Sequence, residues 1–412
     1  MTKTRYLRFD RLHHPIALED AEQLEPIIAD IFAGWPYTEF FKQSDEAFVT
    51  IRPDGARGWL LSLADAPSVH KRWDDVNVIC DLVAEMAWER LRSDPELFCL
   101  HAAAVDFGGC LVVIPNARRA GKSTLAVALA RLGHTLHTDD FLPVQFDQRS
   151  LTFQGVANGI LPRVRLPLPV DFSTAFRDWV TTNRGPSNPQ YKYLLDSPVA
   201  QSGSTLPLGA VVVLDRLAEA CEPSLEPISR EEALASLITQ NFARTGHSSK
   251  ILNFSDRLTH NLPAFRLKYN NAETAAEFLS THFALQELSI AVHTVQTQDN
   301  RQAPLDKMNR PCPWFDPSRQ YVHTAGVTET KVGDDRFLAD STGVAIHRLN
   351  PGSVLIWQLL SAPIDLDEMV SVVGSIFEDV DPEIVLSDTH ELMRSFVGAG
   401  LVSLATIKAT DF

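Results

Sequence analysis

The residues with the clearest capacity for chemistry lie at 112–141, in the segment VVIPNARRAGKSTLAVALARLGHTLHTDDF. Its GKST tetrapeptide, residues 121–124, ends the pattern G-x-x-x-x-G-K-[ST], in which backbone N–H groups and a lysine bind phosphates and the next hydroxyl binds Mg²⁺. Asn116 occupies the position of the first glycine of that pattern. Because Asn adopts a positive φ more readily than other non-glycine residues, we expect the turn to form despite the change.

The sequence around this loop supplies the context that a phosphate site requires. The strand CLVVI precedes the loop and a helix from about 122 to 132 follows it, so the helix N-terminus faces the phosphates. Two arginines in the loop could add cations or crowd the nucleotide, and so short a motif also occurs by chance at ordinary helix N-termini. The predicted nucleotide-binding residues are Asn116, Arg118, Arg119, Ala120, Gly121, Lys122, Ser123 and Thr124.

The composition limits the classes of protein that fit. A chain of 412 residues with 45% apolar and 22% charged residues is typical of a globular protein with two or three domains. A net charge of −15 disfavours a nucleic acid as the main partner, because binding to its backbone requires clustered Lys and Arg. The five cysteines are scattered without a C-x-x-C spacing, which disfavours structural zinc and a disulfide framework.

The sequence contains no targeting or membrane-spanning signal. Its N-terminus, MTKTRYLRFDRLHHP, lacks an apolar signal-peptide core, and no apolar run approaches the length of about 18 residues that a membrane helix needs. We therefore expect a cytoplasmic protein with no membrane partner. The reducing cytosol agrees with the scattered cysteines.

Hydrophobic periodicity predicts the elements that must position the loop. Residues 1–72 are expected to form a small α/β region, with a helix at Ala17–Phe32 followed by the strands FVTIRP and GWLLSL. A second helix is expected at about 75–95. FCLHAAAVDF and CLVVI then form a hairpin around the glycine pair 108–109, and LGAVVVLD at 208–215 is a buried strand because it is continuously apolar.

The C-terminal quarter reads as a separate module. Residues 291–318 are polar and contain four prolines, which predicts a linker. Beyond it, VTETKV, RFLAD and GVAIHRLN read as short strands. Three helices follow, capped by Asn350 ahead of a proline, by Asp365 in a capping box, and by Asp381 ahead of another proline. A strand ribbon with three helices predicts a winged-helix domain at 319–412.

The neighbours of the loop resemble the HPr kinase/phosphorylase superfamily. In that family a His precedes the loop on a strand, a Gly-His pair follows the first helix, and an Asp-Asp pair ends the next strand. Here these features are His101, residues 133–134, and the pair Asp139 and Asp140. The likeness covers roughly residues 1–290 and is closest to the branch that accompanies peptide-modifying enzymes, including kinases of lasso precursor peptides. It implies an α/β P-loop kinase of the HPr kinase type at 73–290.

The resemblance also implies roles for these residues, with ATP and Mg²⁺ as cofactors. Asp140 is the general base that accepts the hydroxyl proton, and Asp139 assists as a metal ligand together with Ser123. His101 lies beside the phosphates, and Lys122 contacts their oxygens. Such a set suits phosphoryl transfer, which depends mainly on positioned charges. Taken without the resemblance, His101 also fits a hydrogen-bonded core histidine, and the Asp pair fits a helix cap or a turn.

The sequence departs from the family farther along the chain. The family's glutamate metal ligand has no clear match, because the corresponding region reads PRVRLPLP. Arg163 resembles the "PR" of the related branch. Arg163, Arg165 and Lys192 are candidate cations for phosphate or substrate, although an arginine is more often a solvated surface residue. Nothing in the sequence supports phosphorolysis.

Residues 327–405 resemble PqqD-like domains, which bind leader peptides of ribosomally made natural products. The matching pieces are the LN…G…IW run, DLDEM and the closing L…F…GLV. The resemblance implies that a leader adds as a strand to an exposed sheet edge, for which the strand at Gly343–Arg348 is the candidate. Most of these apolar residues also suit any three-helix core. The implied leader-binding residues are Val344, Ile346, Thr389, Leu392, Met393 and Phe396.

Charge separates peptide binding from DNA binding by this module. Winged helices also bind DNA, but residues 320–412 contain 5 Lys and Arg against 14 Asp and Glu, a net charge of −9. Such a surface repels the phosphate backbone and favours a peptide with basic residues.

These observations together predict an α/β P-loop kinase of the HPr kinase type with a small α/β N-terminal region and a C-terminal winged-helix, PqqD-like domain. The expected activity is ATP-dependent phosphorylation of a Ser or Thr hydroxyl on a ribosomal precursor peptide. Because the family often forms oligomers, a homo-oligomer is also expected. Two alternatives stay open: a kinase for a small-molecule hydroxyl, and a non-catalytic leader-binding adaptor with a degenerate ATP site.

Overall fold

The computed structural model divides into two units, each with a hydrophobic core of its own. The first unit contains residues 1–229, 239–244 and 260–295, and the second contains residues 230–238, 245–259 and 296–412. The residues that the structure describes are 3–41, 46–55, 58–66, 70–94, 96–116, 120–242, 246–285, 288, 290, 292 and 314–405. Within these ranges, no helix combines the length and apolar character needed to cross a bilayer.

A mixed sheet occupies the N-terminal region of the first unit. Its order over the described residues is β3-β1-β2-β4-β5-β6, in which β2 and β4 are parallel and the other neighbours antiparallel. Helix α2 buries Val78, Ile79, Leu82 and Met86 in the same core as these strands. The elements are β1 (Thr4–Phe9), β2 (Ile16–Glu19), α1 (Glu25–Ile31), β3 (Tyr37–Phe40), β4 (Val49–Pro53), β5 (Trp59–Leu63), β6 (His70–Trp73) and α2 (Asp75–Ser93).

The helix expected at Ala17–Phe32 is wrong at its start. Residues 16–19 form strand β2, and a 3₁₀ turn at Glu22–Leu24 precedes the short helix α1. A four-residue apolar run fits a buried strand as well as a helix, and pairing with β1 and β4 decides the outcome here. The strands predicted from FVTIRP and GWLLSL and the helix predicted at 75–95 are confirmed.

A larger sheet forms the centre of the first unit. Its order over the described residues is β10-β8-β9-β15-β12-β11-β7, and β17 also pairs with β15. The glycines at 108–109 make the predicted hairpin, and β15 is the predicted buried strand. The elements are β7 (Phe98–Leu100), β8 (Ala103–Phe107), β9 (Cys110–Ile114), α3 (Lys122–Arg131), β10 (Leu136–Thr138), β11 (Leu142–Asp147), β12 (Thr152–Val156), β13 (Arg163–Arg165), α4 (Thr174–Thr182), β14 (Tyr191–Tyr193), β15 (Thr205–Arg216), β16 (Ser224–Pro227), β17 (Ala264–Tyr269) and α7 (Ala272–Leu285).

The second unit combines a three-stranded antiparallel sheet, β19-β20-β21, with helices and a two-stranded pair. The predicted helix caps Asn350, Asp365 and Asp381 each accept a backbone N–H from the first turn. The elements are α5 (Arg230–Thr239), α6 (Ser248–Thr259), β18 (Tyr321–His323), β19 (Thr328–Val332), β20 (Asp335–Ala339), β21 (Ile346–Leu349), α8 (Pro351–Leu359), α9 (Leu366–Ile376), α10 (Pro382–Gly398) and β22 (Val402–Leu404).

Strand β21 is shorter than the strand predicted at Gly343–Arg348. Gly343 has a φ of 75° and lies in a turn, and the N–H of Val344 donates to the Asp340 carboxylate at 2.8 Å. The side chain of Asp340 therefore binds the backbone that would otherwise extend the strand.

Both faces of the β19-β20-β21 sheet are buried. Leu338 of β20 packs in the core formed with α8, α9 and α10. Its neighbours Phe337 and Ala339 point to the opposite face, because side chains alternate along a strand. There they pack with Leu234 of α5 and Leu252 of α6. Two helices from the middle of the chain therefore complete the core of the C-terminal unit.

The domain boundaries predicted at 1–72, 73–290 and 319–412 stay a prediction. The structure adds that 230–238 and 245–259 group with the C-terminal unit, although they lie within the span expected for the kinase domain. The linker predicted at 291–318 falls mostly outside the described residues.

We expect Leu252→Ala to loosen the β19-β20-β21 sheet. Leu252 is fully buried against it, and removing a buried leucine side chain costs about 2–5 kcal/mol. Hydrogen exchange followed by mass spectrometry will show faster exchange of the β20 amides. Leu386→Ala is the control, because Leu386 is 44% exposed on α10 and its loss changes stability by less than about 0.5 kcal/mol. Equal exchange in the two variants would contradict the packing described here.

Candidate active site

The loop that carries the predicted phosphate motif connects β9 with α3. Gly121 has a φ of 101°, and a side chain on it would meet the Tyr269 hydroxyl at 2.6 Å. This position therefore requires glycine. Lys122 starts α3 and is 6% exposed. The N–H groups of the first turn of α3 lie beside a buried ammonium, an arrangement that suits a phosphate.

Asn116 fills the glycine position in an unexpected way. Asn116 is not among the described non-glycine residues with a positive φ. Its side-chain amide bonds instead to Leu214 of β15 in both directions. The Leu214 N–H donates to Asn116 Oδ1 at 2.8 Å, and Asn116 Nδ2 donates to the Leu214 carbonyl at 3.1 Å. The amide imitates a peptide group and fixes the end of β9 to β15.

Four predicted site residues meet beside this loop. Lys122 Nζ lies 3.3 Å from His101 Nε2 and also donates to the Asn116 carbonyl. His101 Nε2 lies 3.3 Å from Asp140 Oδ1. Arg163 Nη2 lies 3.0 Å from Asp140 Oδ2. We call Lys122, His101, Asp140 and Arg163 the polar chain.

The two contacts of His101 Nε2 are alternatives. An imidazole nitrogen accepts a hydrogen bond when it is unprotonated and donates one when it is protonated. It therefore cannot accept from Lys122 and donate to Asp140 at the same time. When Lys122 turns toward another partner, His101 becomes free to donate to Asp140.

The two aspartates that follow β10 differ in their ionisation. Burial raises the pKa of Asp139 to about 6, although Arg163 acts in the opposite direction. Burial also opposes ionisation of Asp140, but Arg163 and the hydrogen bond from His101 outweigh it and hold the pKa of Asp140 well below its usual range. Asp140 is thus a permanent anion at neutral pH. Asp139 carries a charge that a nearby cation would stabilise.

Sequence reasoning missed the residues that hold Arg163. Strands β13 and β14 pair with Arg163 opposite Tyr193. The Tyr193 hydroxyl lies 3.4 Å from Arg163 Nη1 and 3.3 Å from Cys80 Sγ, and the rings of Tyr191 and Tyr193 lie 5.6 and 6.0 Å from the guanidinium. The alternating sequences RVR and YKY, read as paired strands, are the signal that could have revealed this arrangement.

Asn158 was also missed, and it fixes the turn that carries the two aspartates. Its buried Nδ2 donates to Thr138 Oγ1 at 3.1 Å and to the Phe141 carbonyl at 3.0 Å. These two partners are the residues immediately before and after the pair. One amide thereby sets the direction of both carboxylates. No sequence motif marks this residue.

The other predicted residues of the first unit lie apart from the polar chain. Arg165 Nη2 donates to the Tyr191 hydroxyl at the surface, and Lys192 Nζ donates to the Thr181 carbonyl of α4. The family pattern places the histidine on a strand, but His101 follows β7 instead of lying in it. Arg118 and Arg119 lie outside the described residues.

The residues predicted to bind a leader fall into two groups. Met393 and Phe396 lie in the core of the second unit, and Thr389 is 4% exposed. Leu392 packs partly against that core, and Ile346 is partly buried on β21. Val344 is 49% exposed but precedes β21. Of the six predicted residues, Val344, Ile346 and Leu392 therefore retain more accessible surface for contact with a peptide than the buried residues do.

Ser123 and Asp139 are the residues suited to hold a magnesium ion. Ser123 Oγ donates to the backbone carbonyl of Asp139 at 3.3 Å, so the two residues are neighbours. Over the described part of the chain, no group of three or more His, Cys, Asp or Glu could hold a metal by itself. A set of two fits Mg²⁺, which binds through one or two protein ligands together with waters and phosphates.

Comparison with known proteins gives one family match and one structural likeness. Residues 337–402 match the family model of PqqD, coenzyme PQQ synthesis protein D, so the C-terminal unit contains a PqqD domain. The HPr(Ser) kinase/phosphatase from Coxiella burnetii is structurally similar, with 12% identity and a TM-score of 0.23 over 44% of this chain and 91% of that chain. No curated protein matches the chain.

We expect Asp139→Asn to stabilise the nucleotide-free protein. A folded-state pKa of about 6, above the usual 3.8, means that ionisation costs the folded state about 3 kcal/mol at pH 8. The gain should be small near pH 4, grow as the pH rises through 6 and then level off. Denaturant unfolding across this pH range measures it.

Asp140→Asn is the matched control and should act in the opposite direction. The pKa of Asp140 is lowered, so its stabilising charge is fully present at neutral pH and is lost only when the pH falls below the usual range of a carboxyl. The substitution also leaves Arg163 without its carboxylate. A destabilising Asp139→Asn change at pH 8 would contradict the assigned ionisation.

We expect Asn116→Gly, which restores the glycine of the consensus motif, to lower the free energy of unfolding. The two hydrogen bonds to Leu214 disappear, and each buried group left unpaired costs about 1–3 kcal/mol. Asn116→Ala is the control, because it removes the same amide without adding backbone freedom. If denaturant unfolding gives Asn116→Gly and Asn116→Ala the same free energy of unfolding as the native protein, the amide does not have the role assigned to it.

Proposed function

We propose that the protein is an ATP- and Mg²⁺-dependent kinase. It transfers the γ-phosphoryl group to a Ser or Thr hydroxyl of a ribosomally synthesised precursor peptide whose leader binds to the PqqD domain. The observation that carries the proposal is the polar chain, in which one imidazole lies within 3.3 Å of both the lysine of a phosphate motif and a half-buried aspartate. Such a set has few structural reasons to occur beside a helix N-terminus.

The described residues fit a nucleotide with its metal. Gly121 and the first turn of α3 offer backbone N–H groups, and Lys122 supplies a cation for the terminal phosphates. Ser123 and Asp139 would hold Mg²⁺, and the metal would keep the buried Asp139 ionised. When bound, ATP and Mg²⁺ supply the phosphoryl group and neutralise its charge.

In this proposal Asp140 would receive the acceptor hydroxyl. Its carboxylate stays ionised because Arg163 and His101 hold it. In phosphoryl transfer through a loose transition state the hydroxyl proton leaves late, so orientation matters more than basicity. Lys122 bound to phosphate releases His101 Nε2, which then donates to Asp140 and keeps that carboxylate directed at the acceptor.

The second unit fits the capture of a peptide. Over the described residues, β21 ends the order β19-β20-β21 and leaves an edge to which an extended peptide can add. The net charge of −9 over 320–412 favours a basic leader. Capture raises the local concentration of the acceptor, so the active site can select its substrate without a deep pocket of its own.

The decisive experiment offers the protein short peptides that carry a basic leader and a Ser or Thr acceptor. With ATP and Mg²⁺ we expect a mass gain of one phosphoryl group, mapped to Ser or Thr by fragmentation. Lys122→Ala should reduce the rate by at least about 100-fold, because a charge-stabilising donor is lost. Lys268→Ala, which breaks a surface ion pair with Glu226, should leave the rate unchanged.

Two results would overturn the proposal. Calorimetry without heat from ATP·Mg²⁺ on the native protein would identify a leader-binding adaptor. Phosphorylation of a leaderless peptide with an unchanged KM would show that the second unit does not select the substrate.

A further inference from the structure

The residues between α5 and α6 leave the second unit and belong to the first. Residues 240–242, which we call the connector, run beside the edge strand β7. The His101 N–H donates to the Gln240 carbonyl at 2.7 Å, and the Phe242 N–H donates to the Cys99 carbonyl at 2.7 Å. The connector therefore covers the edge of the sheet at the point where the chain reaches the catalytic histidine.

The side chain of Phe242 also reaches the neighbourhood of the acid pair. Its ring lies 4.7 Å from the ring of Trp88 on α2 and 6.5 Å from the ring of Phe141, measured between centroids. Phe141 is 2% exposed and directly follows Asp140. One short segment thus touches the backbone of His101 and the residue next to Asp140.

The connector is covalently continuous with a helix that the PqqD domain holds in place. Helix α5 ends at Thr239, immediately before Gln240. Leu234 of α5 and Leu252 of α6 are fully buried against Phe337 and Ala339 of β20. Only the peptide bond between Thr239 and Gln240 therefore separates α5 from the connector.

We propose that the connector is a positioning element through which the state of the peptide-binding unit sets the geometry of His101 and Asp140. The inference rests on the proposed function for its catalytic consequence. If a peptide binds the second unit more tightly when α5 is in one of two positions, peptide binding favours that position. Through the connector it would then favour one position of the His101 backbone. Peptide capture then changes the rate of phosphoryl transfer in addition to the affinity for the substrate.

Two fully buried leucines of the second unit provide a matched test in the full-length protein. Leu234 lies on α5, whereas Leu360 lies in the core formed with α8, α9 and α10. We expect Leu234→Ala to raise hydrogen exchange at the His101 and Phe242 amides by at least about tenfold, and Leu360→Ala to leave both unchanged. We also expect Leu234→Ala to lower the kcat of ATP turnover by up to about 100-fold with an unchanged Kd for ATP·Mg²⁺.

A second variant acts on the connector itself and protects the test against misfolding of Leu234→Ala. Phe242→Leu keeps an apolar side chain but loses the ring contacts with Trp88 and Phe141. It should lower kcat with little change in the affinity for ATP·Mg²⁺ or in the melting temperature. A purely structural role for Phe242 would lower the melting temperature and leave kcat per folded molecule unchanged.

The outcomes separate this inference from the proposed function. If Leu234→Ala and Leu360→Ala have the same effect on exchange at His101, the connector does not couple the two units and the inference is overturned. If the native protein does not turn over ATP, the proposed function fails, but the exchange comparison still decides whether α5 controls the backbone of His101.

Discussion

The pairing of one half-buried carboxylate, that of Asp140, with Arg163 and His101 organises the candidate site. Asp140 is ionised because Arg163 and His101 both reach it, and each of these residues comes from a different part of the chain. A carboxylate partly removed from water is less stable as an anion without such partners, so the fold must bring β13, the residue after β7 and the turn after β10 together. The tyrosines around Arg163 and the amide of Asn158 have the same purpose, because they keep the partners in place.

Asn116 contributes to the structure in a way that a glycine at this position could not. A glycine at position 116 would provide backbone freedom, whereas Asn116 provides two hydrogen bonds to β15. Gly121 has no such substitute, because the Tyr269 hydroxyl occupies the space of a side chain. The two glycine positions of the motif therefore have different physical requirements.

Much of the site could be predicted from the sequence, because His101, Lys122 and the two aspartates lie at fixed distances around one loop. The tyrosines and Asn158 could not, since their roles depend on strand pairing between β13 and β14 and on a turn in three dimensions. In the fold, capped helices and continuous apolar strands were readable. The strand at the start of the Ala17–Phe32 region could not be predicted, because a short apolar run fits the residue spacing of a strand and of a helix equally well. The attachment of α5 and α6 to the C-terminal sheet was hidden for another reason: amphipathic helices do not reveal which core they cover.

The burial of both faces of the β19-β20-β21 sheet has a consequence for engineering. A binding module whose core is formed entirely by its own residues can be transferred from one protein to another, and its peptide specificity is transferred with it. Here Leu234 and Leu252 are part of that core, so a graft that began after the linker would leave Phe337 and Ala339 uncovered in the new host. A transferable module must also include residues 230–259, and among these the residues 240–242 normally bond to the chain beside β7.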